Sequence, residues 1–122
     1  MRKINNLFFF FVIILSLSII GCSMAISGIE AEMPDLNNKQ DGIYRGNYNM
    51  SSTPNKATVE VFIHDHQIIK IDILEHSCSS IGKKAEKIIE SIIAYQSLSV
   101  DVISGATSSS KTILKAVENA LQ

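Results

Sequence analysis

Hydrophobic and polar residues alternate along two consecutive stretches in the middle of the chain. Between positions 57 and 64, one face carries Ala57, Val59, Val61 and Ile63. Between positions 68 and 75, the apolar face carries Ile69, Ile71 and Ile73. A period of two predicts strands with one buried face, and the short connection 65–67 predicts a β-hairpin. Because His66 stands where glycine is usual, we expect a slightly loose turn.

A further strand is predicted at 42–48, and after the hairpin the spacing changes to that of helices. Across 82–94, an apolar stripe at every third or fourth position carries Ala85, Ile88, Ile89, Ile92 and Ile93. A second helix is predicted at 108–121, with Ile113, Leu114, Val117 and Leu121 inward. The apolar run 98–103 predicts a short extended segment between the helices. Three strands followed by two helices predict an α+β domain, a small antiparallel sheet with both helices packed on it.

The hydropathy of the 122 residues is uneven along the chain, with a mean of +0.20. Arg2 and Lys3 are the only charges in 1–21, and the apolar stretch 7–20 is too short to span a bilayer. Residues 1–21 therefore predict a secretory signal peptide. The alternatives are an uncleaved anchor helix or a signal peptide followed by a cysteine by chance.

The signal peptide ends in Ile19-Ile20-Gly21-Cys22, which resembles a bacterial lipobox. This resemblance implies that Cys22 is lipidated and becomes the first mature residue. The protein is then expected at the cell membrane, anchored by lipid on the extracytoplasmic face. Small and polar residues in 22–40 predict a flexible tether, and the folded domain is expected at 41–122. With Cys22 modified, Cys78 has no intramolecular partner, so no disulfide is expected.

The charge balance excludes one large class of functions. The whole chain has 11 Lys and Arg against 12 Asp and Glu, and removal of Arg2 and Lys3 makes the mature chain mildly acidic. Its lysines are dispersed in the sequence, which disfavours binding to nucleic acid by phosphate neutralisation. We expect a monomer that binds no nucleic acid.

The stretch 101–110 carries a carboxylate, then small residues, then a cluster of hydroxyls directly before the second helix. Free N–H groups at a helix N-terminus favour an anion, and Gly105 and Ala106 leave room for a phosphate. An ordinary N-cap by Ser or Thr is the alternative explanation. The residue pattern alone does not distinguish a phosphate site from an ordinary N-cap.

Asp101-Val102-Ile103-Ser104-Gly105-Ala106-Thr107 resembles the flavinylation motif of the FMN-binding domain family, which includes flavin-carrying subunits of sodium-pumping NADH:quinone oxidoreductase and Rnf-type complexes. Residues 41–46 resemble the opening D-G-x-Y-x-G of that family. Residues 68–76 and 96–101 are also similar to it. The resemblance thus extends over nearly all of 41–121.

The resemblance implies covalent FMN. In that family a flavin transferase cleaves FAD and joins FMN through a phosphoester to the residue that corresponds to Thr107. The cofactor-binding residues implied here are Asp101, Ser104, Gly105, Ala106, Thr107, Ser108, Ser109 and His76. Ser109 and Ser110 are expected to donate hydrogen bonds to the phosphate. Asp101 either serves recognition by the transferase, with or without Mg²⁺, or fixes the loop by accepting backbone N–H bonds.

Other polar residues carry weaker signals. His76 corresponds to a family position near the flavin, the alternative being a histidine satisfied by backbone. The loop 77–82 departs from the family pattern, which leaves the position of Cys78 open. A redox role for Cys78 is not expected, because the sequence places no clear base beside it. His64 and His66 lack a third ligand, so no metal site is predicted.

These features favour a lipid-anchored electron-transfer protein that carries FMN over a stand-alone enzyme, since no nucleophile and base pair is visible. Its partners are expected to be a flavin transferase, membrane lipid through Cys22, and redox proteins or quinones that the sequence does not identify. The alternatives are a lipoprotein that binds FMN or another phosphate ligand reversibly, and an ordinary lipoprotein whose serine-rich stretch only caps a helix. A flavin-dependent reductase with a promiscuous acceptor is the enzymatic alternative.

Overall fold

A computed structural model describes residues 30–122, in which three strands are followed by two helices. The strands are β1 (Gly42–Asn49), β2 (Lys56–His64) and β3 (Gln67–Ser77). A 3₁₀ segment, Gly82–Lys87, leads into α1 (Ile88–Tyr95), and α2 (Thr107–Leu121) ends the fold. The sheet is antiparallel in the order β1-β2-β3, which confirms the α+β prediction. The predicted signal peptide and Cys22 lie outside the described residues.

The predicted alternation of β2 is confirmed, and it supplies the centre of the core. Its inward side chains, Ala57, Val59, Val61 and Ile63, are all buried. They pack against the inward residues of α2, which include the predicted Ile113, Leu114, Val117 and Leu121. The core therefore lies between one face of the sheet and the helices.

Strand β3 departs from its predicted register at two bulges. The pairing passes from Phe62↔Lys70 to Ile63↔Ile68, so Ile69 is an extra residue and points outward. The prediction that Ile69 faces the core is wrong, because Ile68 takes that place. A second bulge makes Leu74 the other extra residue. An inserted residue reverses the facing of all that follow, so simple alternation could not locate either bulge.

The hairpin turn is tighter than predicted. Asp65 and His66 both have positive φ (50° and 58°), and His64 pairs with Gln67, so the loop has two residues. The Asp41 carboxylate accepts the Asp65 N–H at 2.8 Å and lies 2.7 Å from His64 Nδ1. These contacts, the Asp65 N–H first, hold the pKa of Asp41 below its usual value. A carboxylate outside the hairpin thus stabilises a turn that needs two left-handed residues.

The predicted helix 82–94 is divided in two. Its first part is the 3₁₀ segment, which places Ala85 and Ile88 three residues apart on the buried side, and α1 continues to Tyr95. Gln96 ends α1 in the left-handed conformation, and its amide bonds both the N–H and the C=O of Ile68. The run 98–103, predicted as a short extended segment, joins no sheet, and its Leu98 is buried.

The backbones of β1 and α2 come into close contact at Gly46. A Cβ atom there would lie closer than 3.0 Å to the Ala116 carbonyl oxygen and to backbone atoms of Ala120. The Asn119 side chain also donates to the Asn47 carbonyl at 2.8 Å. Only glycine permits this approach, which fixes the position of α2 across the sheet.

Half of the predicted tether is packed against the domain. Leu36 is buried, and Ala31 and Met33 pack against the core. The Lys39 ammonium donates to the Leu121 carbonyl at the end of α2, and His66 Nδ1 lies 3.0 Å from the Leu36 carbonyl. The prediction of a free tether is therefore wrong for 31–40, because its few apolar residues find partners that the sequence does not reveal. No helix within residues 30–122 is both long and apolar enough to cross a membrane.

Gly46→Ala is expected to lower the free energy of unfolding by about 2–3 kcal/mol, because the added methyl group forces β1 and α2 apart. Gly42→Ala is the matched control, since a Cβ at Gly42 meets only the Tyr44 ring at 3.9 Å. The control should stay within about 0.5 kcal/mol of the wild type. Urea denaturation followed by circular dichroism measures both. Equal losses in the two variants would contradict the close contact.

Asp41→Asn is expected to flatten the dependence of stability on acid pH. A carboxyl group with a lowered folded pKa stabilises the fold above the unfolded Asp pKa of about 3.9, and this stabilisation is lost as the pH falls through the folded value. The wild type should therefore lose more stability than the variant between pH 6 and pH 2, measured as the urea midpoint. Parallel curves would show that Asp41 contributes no pH-dependent stability.

Candidate functional site

The first turn of α2 presents free backbone donors. Ala106 occupies the N-cap position with φ −130° and ψ 39°, and no side chain caps the helix. The explanation of the hydroxyl cluster as an ordinary N-cap is therefore wrong: Thr107, Ser108 and Ser109 belong to the first turn itself. The N–H groups of a first turn have no partner inside the helix, and the dipole of a 15-residue helix adds partial positive charge.

The loop before α2 is held by Ser110. Its hydroxyl accepts the Ile103 N–H at 3.1 Å and donates to the Ala106 carbonyl at 2.8 Å. Gly105 has a φ of +78°, and the Ala106 N–H closes the turn onto the Ile103 carbonyl at 2.9 Å. Ser110 is fully buried and uses its only proton within the loop, so the expectation that it donates to a phosphate is wrong.

Three separate parts of the chain form an open cleft of about 470 Å³ at this helix start. One wall is the motif itself, Gly105 to Ser109, and the other walls are Pro54 with Asn55 and Ser79 with Gly82. They meet because Lys56 pairs with Ser77, which brings the loop before β2 beside the end of β3. Sequence reasoning missed these two walls, since only the strand register brings them to the motif.

Within the cleft, the predicted residues differ in accessibility. Thr107 and Ser108 are exposed, whereas Ser109 is buried against Gly82. A Cβ at Gly82 would lie 2.5 Å from Ser109 Oγ and 2.8 Å from Cys78 Cβ. Gly82 therefore permits the 79–82 loop to close directly on α2. The hydroxyls of Thr107 and Ser108 remain open to solvent and to a reagent.

Asp101 and Ser104 lie apart from the cleft wall. Both are exposed, and Asp101 lines a different groove with Ser91, Tyr95, Ser99 and Val100. No hydrogen bond among residues 30–122 involves the Asp101 side chain. The interpretation that Asp101 fixes the loop by accepting backbone N–H bonds is therefore wrong, and recognition by another molecule is the interpretation that stays.

The His76 side chain is buried and does not line the cleft. It is only 2% exposed, and Nδ1 lies 3.1 Å from Glu86 Oε1 and 3.6 Å from Cys78 Sγ. The alternative of a histidine satisfied by backbone is wrong, because its partners are side chains. Nε2 is buried and has no partner among the described residues. His76 is therefore linked to the 79–82 loop through Cys78, which lies against Gly82.

The other histidines serve the fold. His64 pairs with Asp41, and His66 contacts the Leu36 carbonyl. Within 30–122, no three His, Cys, Asp or Glu side chains are grouped so as to hold a metal ion.

The donors of the cleft fit a phosphate-bearing cofactor such as FMN. The helix start offers N–H groups and two exposed hydroxyls. No atom lies within 4 Å of the position that a Cβ at Gly105 would take, so the backbone there is accessible. No carboxylate lines the cleft to repel an anion. Neutral donors around an unobstructed backbone are the arrangement that anion sites at helix N-termini use.

Comparison with known proteins agrees with this chemistry. Residues 52–122 match the sequence profile of the FMN-binding domain, a range that runs from the loop before β2 to the end of the chain and leaves β1 outside. Among curated proteins, no significant match was found. The matched range includes every wall of the cleft and more than half of the chain, and the chain therefore belongs to the FMN-binding domain family.

Proposed function

We propose that this protein is a lipid-anchored, extracytoplasmic electron carrier that holds FMN as a phosphoester on Thr107. FMN binding itself follows from membership of the family. The observation that carries the finer proposal is the exposed Thr107 hydroxyl in an uncapped first turn of α2, inside the open cleft. When bound, FMN accepts and donates one or two electrons.

The shape of the cleft supports covalent attachment over reversible binding. Small-molecule sites usually bury most of their ligand among large apolar side chains. The lining here consists of Pro54, Asn55 and small residues, without an aromatic or a large aliphatic side chain. Such a cleft provides donors for a phosphate but little surface for a ring, so a covalent bond is the stronger means of retention.

The attachment is a phosphoryl transfer, which a flavin transferase carries out. The Thr107 oxygen attacks the FMN phosphorus of FAD, the pyrophosphate bond breaks and AMP leaves. The hydroxyl proton passes to a base supplied by the transferase or by solvent. The product is an anionic phosphoester at the N-terminus of α2, where the free N–H groups and the dipole stabilise it.

The lipid anchor is supported by the sequence of residues 1–22, with Cys22 as the modified residue. Anchoring would place the carrier near membrane quinones or membrane-bound flavoproteins, its expected electron donors or acceptors. The domain has no nucleophile and base pair in its cleft, which suits a carrier that exchanges electrons at an exposed cofactor.

Production together with a flavin transferase, followed by intact mass under denaturing conditions, tests the attachment. The wild type should gain one FMN-sized increment, which Thr107→Ala should abolish and Thr107→Ser should retain. Ser108→Ala is the matched control, because Ser108 is the neighbouring exposed hydroxyl in the same turn. An increment that persists in Thr107→Ala would place the flavin elsewhere. Colour that is lost from the wild type on denaturation would favour reversible binding.

Cys22→Ser tests the anchor in a bacterial host that processes lipoproteins. The wild type should lose residues 1–21, gain the mass of a diacylglyceryl group and partition into the detergent phase, whereas the variant should carry no lipid. Cys78→Ser serves as control and should behave as the wild type. A mature wild-type chain with an unmodified Cys22 would refute lipid anchoring.

A further inference from the structure

The docked segment 30–40 runs along α2 in a defined direction. Lys39, near its end, contacts Leu121 in the last turn of the helix. Glu30 and Ala31, at its beginning, line a groove of about 330 Å³ with Val102, Lys111 and Leu114. Lys111 lies one turn after Thr107 on the same helix. The Glu30 carbonyl also accepts from Lys115, so the chain reaches the domain beside the middle of α2 and the loop that leads into the candidate site.

Two exposed apolar side chains flank the site at this end. Ile81 is 56% exposed and immediately precedes Gly82 of the cleft wall. Val102 is 37% exposed and belongs to the loop that leads into Thr107. Single exposed apolar side chains occur elsewhere on this domain too, and these two are the ones that add apolar contact area next to the candidate site.

Most lysines at this end lack carboxylate partners. Lys56, next to Asn55 of the cleft wall, pairs with Glu75, whereas Lys70 and Lys115 form ion pairs elsewhere. Within 30–122, no ion pair involves the other lysines near the cleft, which are Lys83, Lys84, Lys87 and Lys111. The Glu86 carboxylate turns inward to His76, and the other carboxylates at this end are Glu30, Glu90 and Asp101. The four lysines are balanced in number by these four carboxylates, but their flexible stems can bring the ammonium groups to anionic headgroups beside the two exposed apolar side chains.

We propose that the end of the domain around Thr107 lies against the lipid surface, held there by the docked segment 30–40. This inference rests on the proposed lipidation of Cys22. Eight residue steps separate Cys22 from Glu30, which span at most about 26–29 Å when extended, whereas the nineteen steps to Asp41 would span about 63–68 Å. Docking thus removes more than half of the reach and selects which end of the domain meets the membrane.

Hydrogen exchange of the lipidated full chain tests this orientation. The protein is placed on vesicles of phosphatidylethanolamine with a minority of phosphatidylglycerol, and compared with Cys22→Ser mixed with the same vesicles. Exchange of the peptides over 79–84 and 101–108 should be several-fold slower in the anchored protein. Exchange at the hairpin turn, Asp65 and His66, should be unchanged.

Two pairs of variants locate the contact. Ile81→Asn combined with Val102→Asn should remove the slowing, whereas Ile43→Asn, at an equally exposed apolar position near the far end of the sheet, should keep it. Leu36→Asp should release the docked segment and remove the slowing, whereas Asn38→Asp adds the same charge at an exposed position and should not.

The possible failures are distinguishable. A wild-type mass without lipid refutes the anchor and this inference together. A lipidated chain whose exchange at 79–84 and 101–108 is unaffected by vesicles, or is slowed only when the flavin transferase is added, refutes the inference alone. Slowing that requires the flavin transferase would make this end a protein-docking surface.

Discussion

The approach of β1 to α2 at Gly46 is the constraint on which the site depends. Because the Gly46 backbone lies directly on the backbone of Ala116 and Ala120, α2 packs closer to β1 than any residue with a side chain would permit. Its N-terminus is thereby fixed beside the end of β3 and the loop before β2. Ser110 then fixes the preceding loop to the helix through two hydrogen bonds. The Thr107 hydroxyl therefore lies between a loop held by Ser110 and a helix held against the sheet.

The site is built almost entirely from small residues, and this has a physical reason. Glycine at 82 and 105, and alanine at 106, remove the side chains that would cover the helix N-terminus. The same absence of bulk means that the cleft can recognise a phosphate but cannot enclose a three-ring system. Under the proposed function, the protein would hold one end of its cofactor and leave the rest accessible for electron exchange.

The sequence was sufficient where one residue pattern maps onto one element. The alternation of β2 and the inward face of α2 were both predicted correctly as local features. The sequence was insufficient where the position of a residue depends on contacts with residues far away in the sequence. The bulges at Ile69 and Leu74, the docking of Leu36 and the cleft walls at Asn55 and Ser79 arise from tertiary packing, which no period in the sequence records.

The hydroxyl-rich start of α2 illustrates the same limit at a single site. Ser and Thr before a helix predict a cap, yet the backbone turn closed by Ala106 and Ile103 shifts the helix start and places these residues inside the first turn. A shift of the helix start by one or two residues decides whether these hydroxyls bond to the backbone. A capping hydroxyl would be occupied by the backbone, whereas a first-turn hydroxyl is free to react.

The two bulges of β3 have a consequence for how copies of this protein meet. Strand β3 forms one edge of a three-stranded sheet, and an edge strand offers unpaired N–H and C=O groups to any other strand. The extra residues Ile69 and Leu74 interrupt the regular spacing of these groups and increase the local twist. The β3 edge is therefore a poor template for strand addition, and the Gln96 amide, which bonds the N–H and C=O of Ile68, occupies part of it.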